Sequence, residues 1–302
     1  MAIQLKTWNL LVPKYCKREY YSRSDAKSLD KKFRLGLIFR DLKNDIENNG
    51  INIFCFQEVS REWGSILVPW FIRRGFLVDR HHYGNDSSDG MGVMIVWKND
   101  ITLHKSYTYR IGFRLNRKLR APSQSLFNQI YYGARYYMGY VDNIIADDIS
   151  NAIGRTNIFM VMKFEKDRKE FAIANYHMPC AYSRPNVMKW HIKEILDILK
   201  GFKCPLIFGG DFNSTPLSEV YRIITAKMKS ACSEGLDKEP ITNYTFTSRN
   251  GEFEGCLDYI FYNNSDKLEL ISVADVEDVE EYLPNMDNPS DHLSLAANFR
   301  LL

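Results

Sequence analysis

Short apolar runs with a polar or ionisable residue at one end recur along this chain, and they limit what it can fold into. The runs are rich in β-branched and aromatic residues, as buried strands are. The motifs are Thr7-Trp8-Asn9, Phe56-Gln57-Glu58, Asn175-Tyr176-His177, Gly210-Asp211-Phe212-Asn213, Leu257-Asp258 and Ser290-Asp291-His292. A sheet scaffold gathers polar side chains from several strand ends into one active site. The pattern therefore predicts strands whose ends converge on a single site.

The composition is that of a globular protein. The chain has 302 residues, of which 45% are hydrophobic and 25% are charged, enough to bury a large core in one domain or two smaller ones. Because neither half of the chain contains all the motifs, we expect one domain over residues 1–302. The net charge of +3 is compatible with an anionic substrate but does not require one.

Other features bear on the compartment in which the protein works. The six cysteines show no close-paired zinc spacing, which favours free thiols in a reducing compartment. No apolar run reaches the roughly 18 residues of a membrane span, and a cleaved leader would remove the strand that carries Asn9. We therefore expect a cytoplasmic or nuclear protein with no signal peptide, no transmembrane segment and no membrane partner.

The spacing of the apolar residues predicts both helices and strands. Helical spacing is found over residues 29–48, 63–71 and 185–200, and residues 158–164 and 170–176 form a predicted hairpin. Further strands are predicted at residues 3–11, 51–56, 92–97, 205–208, 257–262, 268–273 and 293–299. Gly201 suits a left-handed helix cap, and Gly209 and Gly210 suit a backbone turn. Strands broken by few helices predict an α/β sandwich of two sheets with helices outside.

The middle of the chain, between His104 and Asn157, mixes basic residues with tyrosines. They are Tyr107, Tyr109, Arg110, Arg114, Arg117, Lys118, Arg120, Tyr131, Tyr132, Arg135, Tyr136, Tyr137 and Tyr140. Such a mixture can form a groove in which cations meet phosphates and rings stack on bases. It can equally be a solvated helical excursion whose tyrosines pack on the sheet, and both interpretations stay open.

The residues at the predicted strand ends are of the types that bind a hard cation and a phosphate group. Oxygen ligands suit Mg²⁺ or Mn²⁺. Glu58 is the predicted primary ligand, and Asn9 offers a carbonyl to the same ion. Asp211 can orient the attacking water or bind a second ion, so the site holds one or two ions. Asn213 lies two positions further in a predicted extended segment, so it projects to the same side and can contact the phosphate.

These motifs, in this order, resemble the endonuclease/exonuclease/phosphatase superfamily. The resemblance runs from Asn9 to His292, and the ordered set is specific although each motif alone is common. It implies a four-layered α/β sandwich with two packed, mainly antiparallel sheets flanked by helices. It also implies that Asp258 orients His292 and raises its pKa, and that Asp291 lies next to the metal. His177 and His292, each beside a motif Asn or Asp, are expected to contact the phosphoryl oxygens.

Two segments resemble the deadenylase-like ribonuclease branch of that superfamily. They are Thr242-Asn243-Tyr244-Thr245-Phe246 and Phe253-Glu254-Gly255-Cys256-Leu257-Asp258-Tyr259-Ile260-Phe261-Tyr262, with a few residues inserted between them. The resemblance implies substrate-binding roles for Asn157, Asn175 and Phe253, with the phenyl ring stacking on a base. The chain departs from the branch at Met178-Pro179-Cys180 and in its central region.

The expected function is a metal-dependent nuclease that cleaves single-stranded RNA from the 3′ end towards the 5′ end. Alternatives are a DNA endonuclease, or a phosphatase or phosphodiesterase acting on small molecules or lipid headgroups, such as 2′,5′-oligoadenylate or inositol phosphate. An inactive binding module is disfavoured, because every motif side chain is present. The sequence does not identify protein partners.

Overall fold

Two six-stranded sheets form the centre of the protein in a computed structural model, which describes residues 2–84, 90–120 and 143–302. The strands of the first sheet are β1 (Ala2–Asn9), β2 (Ile53–Gln57), β3 (Phe76–Tyr83), β4 (Met91–Lys98), β13 (Leu268–Val273) and β14 (Leu295–Leu301). Those of the second are β5 (Thr102–Arg110), β6 (Ile158–Lys166), β7 (Lys169–His177), β8 (Leu206–Asp211), β9 (Met228–Ser230) and β12 (Asp258–Asn263). A separate hairpin contains β10 (Asn243–Thr247) and β11 (Gly251–Gly255).

Six of the seven described helices cover the outer faces of the sheets, and the short helix α7 packs against the core between them. The described helices are α1 (Lys31–Glu47), α2 (Arg61–Ile72), α3 (Ile111–Arg120), α4 (Asn143–Gly154), α5 (Pro185–Leu199), α6 (Glu219–Thr225) and α7 (Ala231–Leu236). One apolar core lies between the sheets, a second lies under α1 and α2, and a third lies under α3 to α6. Burying one phenylalanine side chain such as Phe54 or Phe208 stabilises the fold by about 1.5–3 kcal/mol. This confirms the predicted sandwich of two sheets flanked by helices.

The strand order explains where the polar residues meet. The first sheet runs β13-β14-β1-β2-β4-β3 and the second β5-β6-β7-β8-β12-β9. Each contains one parallel pair, in which Asn9 of β1 lies opposite Gln57 of β2 and His177 of β7 opposite Asp211 of β8. The carboxyl ends of all four strands therefore lie at one edge of the sandwich. The antiparallel strand β12 begins at the same edge, with Asp258 opposite Asp211.

The glycine predictions were wrong in their physical reason. Helix α5 ends at Leu199, the following residue Lys200 has right-handed backbone angles, and Gly201 does not form a left-handed cap. Gly209 and Gly210 lie inside β8, without a turn. A Cβ at Gly210 would stand 2.2 Å from the carbonyl oxygen of Tyr176, and one at Gly209 would stand 3.2 Å from Thr7 Cβ. Glycine is required there because neighbouring strands and the opposite sheet approach closely.

The described part of the basic and tyrosine-rich stretch packs on the protein. Residues 102–110 form β5, where Tyr107 and Tyr109 stack on each other and pack on the core under α5. Arg114 pairs with Glu194 at 2.7 Å and Lys118 with the same carboxylate at 3.1 Å. Both cations therefore form ion pairs with a carboxylate of α5. Tyr131, Tyr132, Arg135, Tyr136, Tyr137 and Tyr140 lie outside the described residues. Among the described helices, none is long and apolar enough to cross a membrane.

Candidate active site

A cleft of about 1050 Å³ opens at the edge where the strand ends meet. Eight of the predicted site residues line it: Glu58, Asn157, His177, Asp211, Asn213, Phe253, Asp291 and His292. The other three, Asn9, Asn175 and Asp258, are buried behind this lining. The structure thus brings side chains from both sheets and from the β10–β11 hairpin to one cavity.

Asn9 and Glu58 stand side by side at the ends of β1 and β2. The amide nitrogen of Asn9 donates to Glu58 Oε1 at 3.3 Å and to Asp211 Oδ2 at 2.9 Å. Its side-chain oxygen accepts from the Leu11 backbone at 2.9 Å. Asn9 therefore presents its nitrogen to the carboxylates and orients them. Glu58 has a φ of +57°, a costly conformation for a residue with a side chain, and Val12 N donates to its Oε2 at 2.9 Å.

Asp211 is held from several directions. The backbone N–H of Asn213 donates to Asp211 Oδ1 at 2.8 Å, so the carboxylate caps its own turn. Asn213 has a φ of +47°, and the segment is therefore a tight turn where the sequence predicted an extended one. The Asn213 amide donates to the Met178 carbonyl at 2.9 Å, and its oxygen accepts from Tyr182 at 3.0 Å. This arrangement fixes the direction in which Asp211 points.

His177 faces the same carboxylates. Its Nε2 lies 3.4 Å from Asp211 Oδ2 and 3.9 Å from Glu58 Oε1. The phenol of Tyr83 lies 2.5 Å from Nδ1, and burial raises the pKa of that phenol well above its usual range. Because Tyr83 keeps its proton, it can donate to Nδ1, which leaves the ring proton on Nε2 facing Asp211.

His292 and Asp258 form a buried hydrogen-bonded pair, 2.7 Å from Nδ1 to Oδ2. Burial opposes the charged imidazole, but Asp258, Asp291 and Asp211 together raise the pKa of His292 well above its usual value. Burial raises the pKa of Asp258 to about 6, although the charge of His292 opposes that rise. The negative charge of Asp258 therefore favours the protonated imidazole, and the imidazolium in turn favours the ionised carboxylate. Nε2 of His292 is left facing Asp211 Oδ2 at 3.8 Å.

Asp291 completes the acidic group on the cleft side. The phenol of Tyr21 donates to its Oδ2 at 2.6 Å, and its Oδ1 lies 4.0 Å from His292 Nε2. Burial and the charge of Asp291 raise the pKa of Glu58, against the effect of His177. Three carboxylates held in so small a volume repel one another, and a divalent cation would neutralise them.

The donor set fits a hard divalent cation. Ligand atoms of Asp211, Asp258 and His292 lie within 4.8 Å of one another, the one such buried group among the described residues. Of these, Asp258 is already hydrogen-bonded to Nδ1 of His292. Carboxylate oxygens of Glu58, Asp211 and Asp291 face the cleft beside that group, and oxygen-rich donor sets of this kind suit Mg²⁺ or Mn²⁺.

The three residues predicted to bind substrate lie in different places. Asn157 lines the cleft, and its amide donates to the His177 carbonyl at 2.8 Å. Phe253 lies half-buried on β11 with its ring edge over Gly255. The prediction for Asn175 was wrong, because this side chain is fully buried between the sheets. It donates to the carbonyls of Phe56 and Met94 at 3.0 Å and accepts from Gln57 at 2.8 Å, so no polar group remains for substrate.

Sequence reasoning missed four residues that hold the site in place. Tyr21, Tyr83 and Tyr182 donate to Asp291, His177 and Asn213. Arg34 is fully buried and donates to the carbonyls of Leu10 and Leu11 at 2.7 and 2.6 Å, and to that of Pro289. None of the four belongs to a polar motif at a strand end. An arginine at an inward position of the amphipathic helix α1 was the one available signal.

The comparisons with known proteins identify the family and agree with the fold. The family model described as Endonuclease/Exonuclease/phosphatase family matches residues 7–292. The chain is 29% identical to mouse 2′,5′-phosphodiesterase 12 over 99% of its own length, but spans only 52% of that protein. It is 22% identical to the RNA exonuclease NGL1 of Saccharomyces cerevisiae, over 99% of this chain and 92% of that protein.

Among solved structures, that of ANGEL2, described as a 2′,3′-cyclic phosphatase, has the same fold. It superposes with a TM-score of 0.75 at 18% identity, covering 100% of this chain and 95% of that one. At this identity the structural match supports the fold alone. The family model, by contrast, covers every motif that converges on the cleft, and on that ground the chain belongs to the endonuclease/exonuclease/phosphatase family.

Proposed function

We propose that this protein is a divalent-metal-dependent phosphodiesterase that shortens single-stranded RNA from its 3′ end, as a deadenylase-type exoribonuclease. The observation that carries the proposal is the convergence of Glu58, Asp211, Asp291, His177 and His292 on one cleft. The proposed catalytic unit is a single domain, because both sheets contribute to this cleft.

Asp211 is the proposed acceptor of the proton from the attacking water. Its carboxylate lies between the Nε2 atoms of His177 and His292, at 3.4 and 3.8 Å. Asn9 and the Asn213 backbone hold it in place by hydrogen bonds of 2.9 and 2.8 Å. A fixed carboxylate next to the reacting phosphate needs no reorganisation when the water attacks.

His292 is the proposed cation that meets the phosphoryl oxygens. Because Asp258 and the other carboxylates raise its pKa, the imidazole is protonated at neutral pH and can donate from Nε2. His177 is the second donor, oriented by Tyr83. Charge that develops on the phosphoryl group is thus met by two groups already in position.

Glu58, Asp211 and Asp291 are the proposed ligands of one or two Mg²⁺ or Mn²⁺ ions. Such an ion, when bound, neutralises charge on the phosphate and lowers the pKa of bound water. The side-chain nitrogen of Asn9 donates to two of these carboxylates, those of Glu58 and Asp211, and its side-chain oxygen accepts from the Leu11 backbone N–H. We therefore assign Asn9 a positioning role, in place of the direct coordination expected from the sequence.

A nucleic acid substrate is supported by the walls of the cleft. The β10–β11 hairpin carries Phe253 along one side, and a phenyl face can stack on a base. Lys14, Lys17 and Arg249 lie on the same rim, where phosphates would pass. RNA as the substrate is further supported by the full-length similarity to an RNA exonuclease of yeast. The six free cysteines support a reducing compartment, the cytoplasm or the nucleus.

A second candidate is the cleavage of 2′,5′-oligoadenylate. It is favoured by the similarity to 2′,5′-phosphodiesterase 12 over 99% of this chain. The proposed roles of Asp211 and His292 are the same for both linkages, since each contains one phosphodiester. The position in which the cleft holds the ribose would then decide whether a 2′,5′ or a 3′,5′ linkage is cleaved.

Pure protein incubated with 5′-labelled oligo(A) RNA, the matching DNA, 2′,5′-oligoadenylate and an inositol polyphosphate tests these candidates together. We expect a ladder of progressively shortened RNA with Mg²⁺ or Mn²⁺, and none with excess chelator. Internal cuts without a ladder would contradict the exonuclease, and hydrolysis of 2′,5′-oligoadenylate alone would favour the second candidate. Asp211→Asn serves as the inactive control.

A further inference from the structure

The segment from Arg155 to Asn157 forms part of the cleft wall beside His177. It connects α4 to β6 and is fixed at two points. The Gly84 backbone donates to the Thr156 hydroxyl at 3.1 Å, and the Asn157 amide donates to the His177 carbonyl at 2.8 Å. Arg155 and its two neighbours all line the cleft. The position of Arg155 is therefore tied to that of His177.

The guanidinium of Arg155 has no ion pair or hydrogen bond with any other residue that the structure describes. Arg184 pairs with Asp147 and Asp148, and Arg114 pairs with Glu194. Arg155 is nevertheless half-buried. A partly desolvated guanidinium without a partner is unfavourable, and an anion that supplies oxygen acceptors relieves this cost.

The charge of Arg155 faces the cleft near Cys180. Burial and the charge of Asp211 raise the pKa of the Cys180 thiol, and the guanidinium of Arg155 acts against that rise. Cys180 lines the cleft as well. A positive group therefore stands on this wall, apart from the hairpin that carries Phe253 and from the rim residue Arg249.

We infer that Arg155 binds a phosphate group of the substrate other than the one that is cleaved, which rests on the proposed function and deepens it. The planar guanidinium matches two phosphate oxygens at once. Among the described residues that line the cleft, Arg155 is the guanidinium on the His177 wall, while Arg249 stands on the hairpin side. The substrate class that fits is an oligonucleotide with at least two phosphates, in preference to a cyclic or single phosphate ester.

The test compares two substrates in Arg155→Ala, Arg155→Lys and the native protein. One is the tetranucleotide ApApApA, and the other is bis(p-nitrophenyl) phosphate, which has one phosphodiester and no second phosphate. For Arg155→Ala we expect kcat/KM on the tetranucleotide to fall at least tenfold, mainly through KM, with no change on the small ester. Arg155→Lys should lose less activity on the tetranucleotide than Arg155→Ala, because lysine keeps the positive charge but cannot contact two phosphate oxygens with paired donors as arginine does. Arg73→Ala removes an equal charge from an exposed position outside the cleft and should change neither.

Equal losses on both substrates would overturn the inference, since Arg155 would then act on the reacting phosphate or on the fold. No loss on either would overturn it as well. A second measurement separates this inference from the proposed function. Fluorescence anisotropy of a labelled phosphorothioate tetranucleotide, with Ca²⁺ present, reports binding without turnover. If the native protein hydrolyses neither substrate, the proposed function fails. In that case a Kd for the phosphorothioate tetranucleotide that is unchanged by Arg155→Ala would also overturn the inferred phosphate subsite.

Discussion

The imidazole of His292 and the carboxylate of Asp258 share a hydrogen bond of 2.7 Å at the buried side of the cleft, between Nδ1 and Oδ2. The hydroxyl of Thr242 accepts from the backbone N–H of Asp258 at 3.2 Å, and the indole of Trp8 donates to the His292 carbonyl at 3.0 Å. The pair is thus held from the hairpin side and from β1. Its geometry leaves Nε2 as the one ring atom of His292 that can meet a ligand.

Asp258→Asn should lower kcat about 10²-fold or more and leave KM nearly unchanged, because it removes the charge that keeps His292 protonated. Steady-state kinetics on oligo(A) measure both constants. The double variant Asp258→Asn/His292→Ala should be no slower than His292→Ala alone, since the two residues act as one unit. Asp266→Asn, at an exposed position, is the matched control. A raised KM at unchanged kcat would mean that the pair binds substrate and does not assist the chemistry.

Glu58→Gln should abolish activity and stabilise the metal-free protein at neutral pH. Burial raises the folded-state pKa of Glu58, so the protonated form favours folding and stability is lost as the pH rises through that pKa. A neutral amide removes this penalty. Thermal unfolding in EDTA should therefore occur at a higher Tm in the Glu58→Gln variant, and added Mg²⁺ should raise the Tm of the native protein but not that of this variant. Glu62→Gln, exposed on α2, should respond to Mg²⁺ as the native protein does.

Arg34→Met should destabilise the protein by about 3 kcal/mol or more, measured by urea unfolding. The substitution leaves the buried carbonyls of Leu10, Leu11 and Pro289 without their donor, and each such group costs about 1–3 kcal/mol. These carbonyls belong to the loops next to Asn9 and Asp291, so Mn²⁺ affinity should fall as well. Arg40→Met, on the exposed side of α1, should change stability by about 0.5 kcal/mol or less. A small loss for Arg34→Met would mean that water replaces the guanidinium.

The sequence predicted the residues that line the site better than it predicted the residues and strands that hold them in place. Apolar runs that end in Asn9, Glu58, His177 and Asp211 could be recognised, because strand periodicity and chain order are local properties. The edge strands β3 and β5 were not predicted, since they carry charged and polar residues, such as Asp79 and Arg80 of β3 and Lys105 of β5, that hide the apolar period. Edge strands commonly have this composition.

Residues that depend on tertiary contacts could not be assigned from the sequence. Asn175 lies two positions before His177 and therefore on the same face of β7, but it is farther from the sheet edge, and there it bonds to the carbonyls of the opposite sheet. Tyr83 lies far from His177 in the chain, so no spacing connects the two. The residue types around Glu58 do not signal its φ of +57° either, since a positive φ is uncommon outside glycine.

His191 should make the stability of the protein dependent on pH between about 4 and 6.5. It lies between the Tyr176 hydroxyl at 2.7 Å and the Ala152 carbonyl at 2.9 Å, and burial lowers its pKa to about 4. The unfolded state therefore binds the proton more readily, so stability falls as the pH is lowered through this range. From pH 7 to pH 5 the loss attributable to this residue is about 2 kcal/mol.

Urea unfolding of His191→Gln at both pH values measures that loss against the native protein. The variant is less stable at pH 7 because two hydrogen bonds change, but its stability should decline less between the two pH values. His104→Gln, at an exposed histidine, should keep the native pH dependence. The same slope in all three proteins would assign the acid sensitivity to other groups.

Phe253→Ala should weaken the cleavage of oligo(A) about tenfold or more while the Tm stays near that of the native protein. The ring lies half-buried on the cleft face of the hairpin, opposite Thr245 of β10 and above Gly255. It belongs to none of the apolar cores found among the described residues, so its removal leaves no cavity in them. A phenyl face on a base contributes about 1–3 kcal/mol, and the larger purine rings should gain most.

Phe246→Ala is the matched control for this position, because Phe246 lies on the opposite face of the same hairpin and packs against Tyr282 and Arg23. It should lower the Tm and leave the preference for oligo(A) over oligo(U) intact. Phe253→Ala should do the reverse and reduce that preference. If the native protein degrades oligo(A) and oligo(U) equally, and the variant does the same, the ring does not stack on a base. The cleft would then bind RNA through its phosphates alone, by way of Arg155 and the rim lysines.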